Sequence, residues 1–290
     1  MRRPASYLWS MGLPDLIARL RDPPPVVAVL RFDGVIAPRR WRGAMSLASH
    51  AAALDRGFAL KRLAGVALLV NSPGGSPVQS ALLYRRIRLL ADEKRVPVFA
   101  FAEDVAASGG YWLALAGDEV YAEETSLLGS IGVVSSGFGL TRLIDRLGID
   151  RRLHTAGENK SLLDPFLPER EDDVERLAAL QQDIHAAFKD HVKRRRLGKI
   201  DPADETLFSG EVMTGRMALA RGLIDGIGDL RGVMKARFGE RVRLVPVATE
   251  RARRWFRARP SRGIAADRLG FVADLVDWLD ARLLWARFGL

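Results

Sequence analysis

A chain of 290 residues and 32.0 kDa is long enough for one large or two small domains and for a sizeable buried core. Its 48% hydrophobic and 28% charged residues exclude collagen-like, disulfide-framework and wholly disordered chains, and the absence of cysteine excludes thiolate nucleophiles, cysteine-ligated zinc, iron–sulfur clusters and disulfides. The net charge is +10, and of 45 Lys and Arg residues only seven are lysines.

Residues 1–22 read as an N-terminal helical segment. Their short apolar run is broken by Gly12, Pro14 and Asp15 and is followed by no cleavage site, so neither a signal peptide nor a membrane anchor is expected. After Pro23-Pro24-Pro25, residues 26–32 read as a buried strand and 45–63 as an amphipathic helix. Residues 66–70 form a second strand, closed by Asn71-Ser72-Pro73-Gly74-Gly75. Ser76 then caps a helix with Pro77 at its first position and Leu82, Leu83, Ile87 and Leu90 on one face. The next apolar run, 96–102, leads through Glu103-Asp104 into Ala106-Ala107-Ser108-Gly109-Gly110 and an apolar helix over 111–116. Strand, turn and helix alternate, which predicts an α/β domain with parallel strands and working loops at the strand C-termini.

Further along, 119–122, 131–134 and 151–155 read as short strands and 140–147 as a helix. A polar loop carries Gly157, Lys160, Pro165 and Pro168. Helices are expected over 169–196, 214–221 and 230–238. The densest basic run, Lys193-Arg194-Arg195-Arg196, has no interleaved aromatic residue to stack on bases, so no nucleic-acid partner is expected. Residues 246–290 differ in character: 251–262 is arginine-rich around Pro260, and 264–288 is amphipathic with Trp278 and Trp285. The division is therefore 1–22, a domain over 23–245, and an extension over 246–290.

Two glycine turns follow consecutive strands, Ser72-Pro73-Gly74-Gly75-Ser76 and Ala107-Ser108-Gly109-Gly110-Tyr111. Neither matches a phosphate-binding or dinucleotide-binding glycine pattern, whereas backbone N–H groups at such turns suit a developing acyl oxyanion. Ser108 reads either as an exposed nucleophile or as a plain helix N-cap. His50, His154, His185 and His191 show no pattern that marks a catalytic base, and a neutral lysine is the alternative base.

These segments, together with Leu128-Gly129-Ser130-Ile131-Gly132-Val133, stand in an order and spacing that resemble the signal peptide peptidase A family of serine peptidases. The resemblance spans residues 26–238 and implies a ClpP/crotonase-like fold, a repeated β-β-α superhelix with a parallel sheet. It implies Ser108 as the nucleophile. The base would be Lys160, 52 residues later, in a loop fitting G-x-x-K-x-x-x-x-P through Gly157 and Pro165. Ser130 would orient that lysine. Gly74 or Gly75, with Gly109, would line the oxyanion hole. The chemistry requires neither cofactor nor metal. The chain departs from the family pattern after the lysine, where Lys160-Ser161-Leu162-Leu163-Asp164 lacks an immediately following acidic residue.

The expected substrates are peptides, such as signal-peptide remnants or unfolded segments. The resemblance also implies a homo-oligomer with active sites at subunit interfaces, so the C-terminal amphipathic stretch would pack between subunits or rest on anionic lipid. The expected location is cytoplasmic, or peripheral to the inner face of the cell membrane. Two other classes share the scaffold: an acyl-CoA enzyme of crotonase type using a carboxylate such as Glu103, and a catalytically silent scaffold that binds peptides or membranes.

Overall fold

Apolar runs flanked by glycine and proline fold into strands, and the amphipathic stretches between them cross back over the sheet. In a computed structural model describing residues 23–38, 44–157, 159–249 and 285, β1 (Val26–Asp33), α1 (Leu47–Phe58), β2 (Leu63–Ser72), α2 (Pro77–Lys94) and β3 (Val98–Ala107) alternate as the sequence predicts. The short α3 (Gly109–Ala114) follows β3 directly. Then come β4 (Glu119–Ala122), β5 (Leu127–Gly129), α4 (Thr141–Arg146), α5 (Glu171–Arg195), a 3-10 turn over Glu205–Phe208, β6 (Val212–Thr214), α6 (Gly215–Ala220), β7 (Gly226–Ile227), α7 (Leu230–Phe238) and β8 (Arg243–Pro246).

The strands form one sheet in the order β6-β5-β3-β2-β1-β8, with β4 paired to β3 and β7. Every pairing is parallel except β5 with β6. This mixed α/β arrangement is consistent with the ClpP/crotonase-like fold. Strand alternation divides the core in two. Ala28, Leu30 and Phe32 of β1, Val66, Leu68 and Val70 of β2, and Val98 and Ala100 of β3 face α1, α2 and α3. Val27, Val29, Ala67, Phe99 and Phe101 face Met234 of α7. Burial on both faces explains why β1 to β3 read as continuous apolar runs rather than alternating ones.

Helix boundaries follow local chemistry. Ser76 caps α2 by accepting from the Gln79 N–H, with Pro77 at the first position, and Leu83, Ile87 and Leu90 are buried. Ser46 and Ser49 form a reciprocal capping box that starts α1 two residues after the expected boundary. In α5, Glu171, Asp172 and Asp173 open the helix and Lys193, Arg194 and Arg195 close it, which complements the helix dipole.

Three sequence expectations are corrected. The third strand, expected over 96–102, runs on through Glu103-Asp104 to Ala107, with extra residues against β2 between the Ala102–Val70 and Ala106–Ser72 pairs. Asn71 clamps this irregularity, its amide donating to Asp104 Oδ2 at 3.2 Å and its Oδ1 accepting from the Val105 N–H at 3.2 Å. Residues 131–134 and 151–155 carry no strand, and the strand in the first region is 127–129 instead. The strands β6, β7 and β8, of two to four residues each, have no signature of their own in the sequence. Residues 1–22 and the amphipathic stretch at 264–288, apart from Trp285, lie outside the described residues.

Candidate active site

Ser108 follows the last residue of β3 and precedes the first of α3, so the chain must reverse from extended to helical within one residue. It does so at φ 52°, ψ −122°, a conformation that costs a non-glycine residue about 1–3 kcal/mol and persists only where its surroundings enforce it. Ser108 holds the N-cap position, yet its hydroxyl makes no capping hydrogen bond. The simple cap reading is thereby set aside, and the half-buried side chain is presented at a sharp strand-to-helix elbow.

Packing explains the two glycines that follow. A Cβ on Gly109 would lie 2.4 Å from Ser80 Oγ, and one on Gly110 would lie 2.6 Å from the Ser72 carbonyl oxygen. The start of α3 is therefore wedged against the turn between β2 and α2. From the other side, a Cβ on Gly74 would lie 2.8 Å from both Gly109 N and Ser108 Cβ. The two glycine turns are thus in direct contact at Ser108.

Their N–H groups have different fates. Gly74 donates to Ser72 Oγ at 3.2 Å. The Gly74 carbonyl accepts from Ile36 N–H at 2.8 Å, and Ser76 N–H donates to the Ile36 carbonyl at 2.7 Å, which holds Gly75 between them at φ 132°. Gly109 is the first residue of α3, so its N–H has no intrahelical acceptor. A Cβ on Gly109 would sit 3.4 Å from Gly75 N. Of the two glycines considered in the first turn, Gly75 is the one whose N–H lies beside Gly109, and Ser72 is the residue that occupies the other.

Ser130 is brought alongside. Ala107 of β3 pairs with Gly129 of β5, and Ser108 N–H donates to the Gly129 carbonyl at 2.8 Å. Ser130 is the next residue, at φ 49°, with its N–H donating to the Glu211 carbonyl at 2.7 Å. Its hydroxyl makes no hydrogen bond to its own backbone among the described residues, so it is not a self-satisfied turn serine.

Lys160 is not joined to either serine by a hydrogen bond within the chain. It lies exposed in the loop between α4 and α5, where its N–H donates to the Gly157 carbonyl at 3.3 Å. Asp164 organises this loop, accepting from Arg151 at 2.7 Å and from the Phe166 N–H at 3.0 Å. Those two bonds hold its carboxyl below the usual carboxylate range.

The carboxylate weighed for acyl-CoA chemistry is elsewhere. Glu103 lines a cavity of about 740 Å³ on the α7 face of the sheet, with Arg31, Asn71 and Phe101 among its neighbours and neither glycine turn in its wall. Burial raises the Glu103 carboxyl above its ordinary value, opposed by Arg31 bound at 2.5 Å.

Three of the four histidines have structural partners. His50 stacks on Phe32 at 5.0 Å and His191 on Trp112 at 4.6 Å, while His185 Nε2 binds the Ile131 carbonyl at 3.1 Å. Half of the basic run is also used inside the fold. Arg195 donates to the Leu115 and Gly117 carbonyls, each at 2.8 Å, and Arg196, 2% exposed, pairs with Asp225 at 2.7 Å.

The chain is similar to several known proteins. Relatives include a Na(+)/H(+) antiporter NhaA of Brucella abortus, 46% identical across 96% of this chain and 40% of that protein. The chloroplastic serine protease SPPA of Arabidopsis thaliana is 37% identical over 59% of this chain and 25% of its own length. A putative signal peptide peptidase SppA of Enterococcus faecium is 29% identical over 58% of this chain and 48% of its own length. The chain thus spans between a quarter and about half of these relatives. A membrane-bound stomatin-specific protease, solved as a serine-to-alanine mutant, has TM-score 0.45 at 14% identity, covering 78% of this chain and 98% of that one. No helix among the described residues is long and apolar enough to cross a membrane. Residues 91–244, which carry Ser108, Ser130 and Lys160, match the sequence model of Peptidase family S49, and with protease relatives named SppA, the chain belongs to that family, the signal peptide peptidase A peptidases.

Proposed function

We propose that this chain is a serine endopeptidase working through Ser108 and Lys160. The observation that carries the reading is the elbow at Ser108: a strained backbone, an uncapped hydroxyl, and the next residue, Gly109, opening the helix with no intrahelical acceptor for its N–H and packed against the Gly75 backbone nitrogen. Lys160, neutral, takes the Ser108 hydroxyl proton as Oγ bonds to the peptide carbonyl carbon. Gly75 and Gly109 donate to the oxygen that gains the charge. Collapse breaks the C–N bond, and the proton passes from Lys160 to the leaving amine. Water, deprotonated by the same amine, then hydrolyses the acyl ester and returns the proton to Ser108. Ser130 orients the lysine.

Lys160 comes from a second copy of the chain in this reading. Its exposure supports that, as do the neighbouring apolar side chains left in solvent: Val134, Phe138 at 78% exposure, Leu143, Leu147 and Ile149. Apolar exposure concentrated in this way marks an interaction surface. Peptides with small or apolar residues at the cleavage site are the substrate class. The antiporter name belongs to relatives of which this chain matches two fifths, and we assign this chain the peptidase activity because the S49 match lies within it.

Labelling with a serine-reactive fluorophosphonate tests the assignment. The native protein should label, Ser108→Ala should not, and Lys160→Ala should label much more slowly. Undiminished labelling of Ser108→Ala would sink the assignment.

A further inference from the structure

The turn after β5 is held at four points. The Gly129 carbonyl accepts from Ser108 N–H at 2.8 Å, Ser130 N–H donates to the Glu211 carbonyl at 2.7 Å, and Gly132 N–H donates to the Ser130 carbonyl at 2.9 Å. The fourth is a side chain: His185 Nε2 meets the Ile131 carbonyl at 3.1 Å, from 54 residues further along the sequence. A carbonyl only accepts, so Nε2 carries the proton in this bond. Gly129 and Ser130 are both left-handed, at φ 88° and 49°, and a serine has no intrinsic preference for that region.

The same face of α5 continues along the nucleophile helix. Phe188 packs on Trp112 at 4.9 Å, His191 stacks on Trp112 at 4.6 Å, and Arg195 donates to the Leu115 and Gly117 carbonyls just past the end of α3. Residues 185, 188, 191 and 195 recur every three or four positions, so a single stripe of α5 reaches both the Ser130 turn and the helix that Ser108 opens. His185 is the member of the stripe that touches the turn.

We propose that His185 is a positioning residue of the peptidase site: its bond to the Ile131 carbonyl fixes the 129–132 turn to α5, and through α5 sets Ser130 relative to Ser108. The proposal rests on the Ser108, Ser130 and Lys160 reading above. His185 touches neither substrate nor reacting atoms. Its effect is on the orientation of the Ser130 hydroxyl and, through it, of the lysine amine.

The test uses three full-length variants. His185→Phe keeps the ring and removes the donor, His185→Asn keeps an amide too short to reach, and His185→Gln returns an N–H near the Nε2 position. Misplacement of a catalytic group by about 1 Å can cost on the order of 100-fold. Peptide hydrolysis by the Phe and Asn variants should therefore fall about 10- to 100-fold in kcat, with KM within about 3-fold and the melting temperature near native. The Gln variant should recover to within about 3-fold of native kcat. Native kcat in the Phe or Asn variant would overturn the proposal and leave burial of Ile131 as sufficient anchorage. Failure of Gln to rescue, or loss of activity only in step with lost thermal stability, would overturn it as well. If the native protein shows no Ser108-dependent labelling, the Ser/Lys reading itself has failed, and the two failures are thereby distinguished.

Discussion

Gly74→Ala is the sharpest perturbation of the proposed site, because the added methyl group has a defined place to go. Gly74 sits at φ 103°, and its Cβ would lie 2.8 Å from Gly109 N, 2.8 Å from Ser108 Cβ and 2.9 Å from the Ala107 carbonyl oxygen. Ordinary contacts begin near 3.4 Å, so relief requires a shift of about 0.5 Å. All three neighbours belong to the elbow, and two are backbone atoms with no rotamer to change. Backbone strain of about 1–3 kcal/mol and a similar overpacking cost together predict destabilisation of about 2–6 kcal/mol. Moving Ser108 and the Gly109 N–H by this amount should lower kcat about 10- to 100-fold. Urea unfolding measures the first quantity, and the rate of fluorophosphonate labelling with peptide hydrolysis measures the second. Gly137→Ala, where nothing lies within 4 Å of the new methyl, is the stability control and should unfold at the native midpoint. A stable Gly74→Ala variant labelled at the native rate would refute the placement of the two glycine turns around the nucleophile.

Three further outcomes follow from the same geometry. If Lys160 acts on the serine of a neighbouring copy, mixing Ser108→Ala with Lys160→Ala protein under subunit exchange should restore about one quarter of native activity, the share of sites that draw both intact residues; no recovery in demonstrably mixed oligomers counts against the shared site. Asp225 accepts from Arg196 at 2.7 Å, Lys199 at 2.5 Å and the Val120 N–H at 2.8 Å. Burial opposes its charge, but these bonds hold its carboxyl below the ordinary value. Its stabilisation is therefore full above the ordinary carboxylate range and is lost as pH falls through the lowered folded value. Asp225→Ala strands the buried Arg196 and should cost about 3–5 kcal/mol, read as a lower urea midpoint at pH 7 and a shallower acid limb. His191, 4% exposed, is held neutral chiefly by burial, its pKa lowered to about 4. The unfolded chain binds that proton first, so stability should fall as pH drops from about 6.5 to about 4, by at most about 3 kcal/mol. His191→Phe, which keeps the stack on Trp112, should flatten that slope; an unchanged slope would contradict the buried neutral ring.

What the sequence determined by itself was local. Apolar runs and cap residues placed β1, β2, β4, α2 and α7 close to their observed bounds, because Ser76-Pro77 or a valine-rich strand carries its preference in its own few residues. The three motifs around Ser72, Ser108 and Ser130 marked the candidate site for the same reason: turns that need glycine show it in the chain. Tertiary structure decided the rest. Glu103 and Asp104 lie beyond the apolar run that marks the third strand, yet Asn71 and a neighbouring strand hold them in β3. Residues 131–134 are apolar enough for a strand, but the left-handed Gly129 and Ser130 end the pairing before them. Which glycine N–H stands beside Gly109 depended on Ser72 occupying the other, and His185 could be found only through a bond spanning 54 residues. Hydrogen-bond partners brought together from distant parts of the chain leave no periodicity or composition to read. The +10 charge resolves in the same way, for Arg195 and Arg196 of its densest run are committed to the end of α3 and to Asp225, where only the packed chain shows them employed.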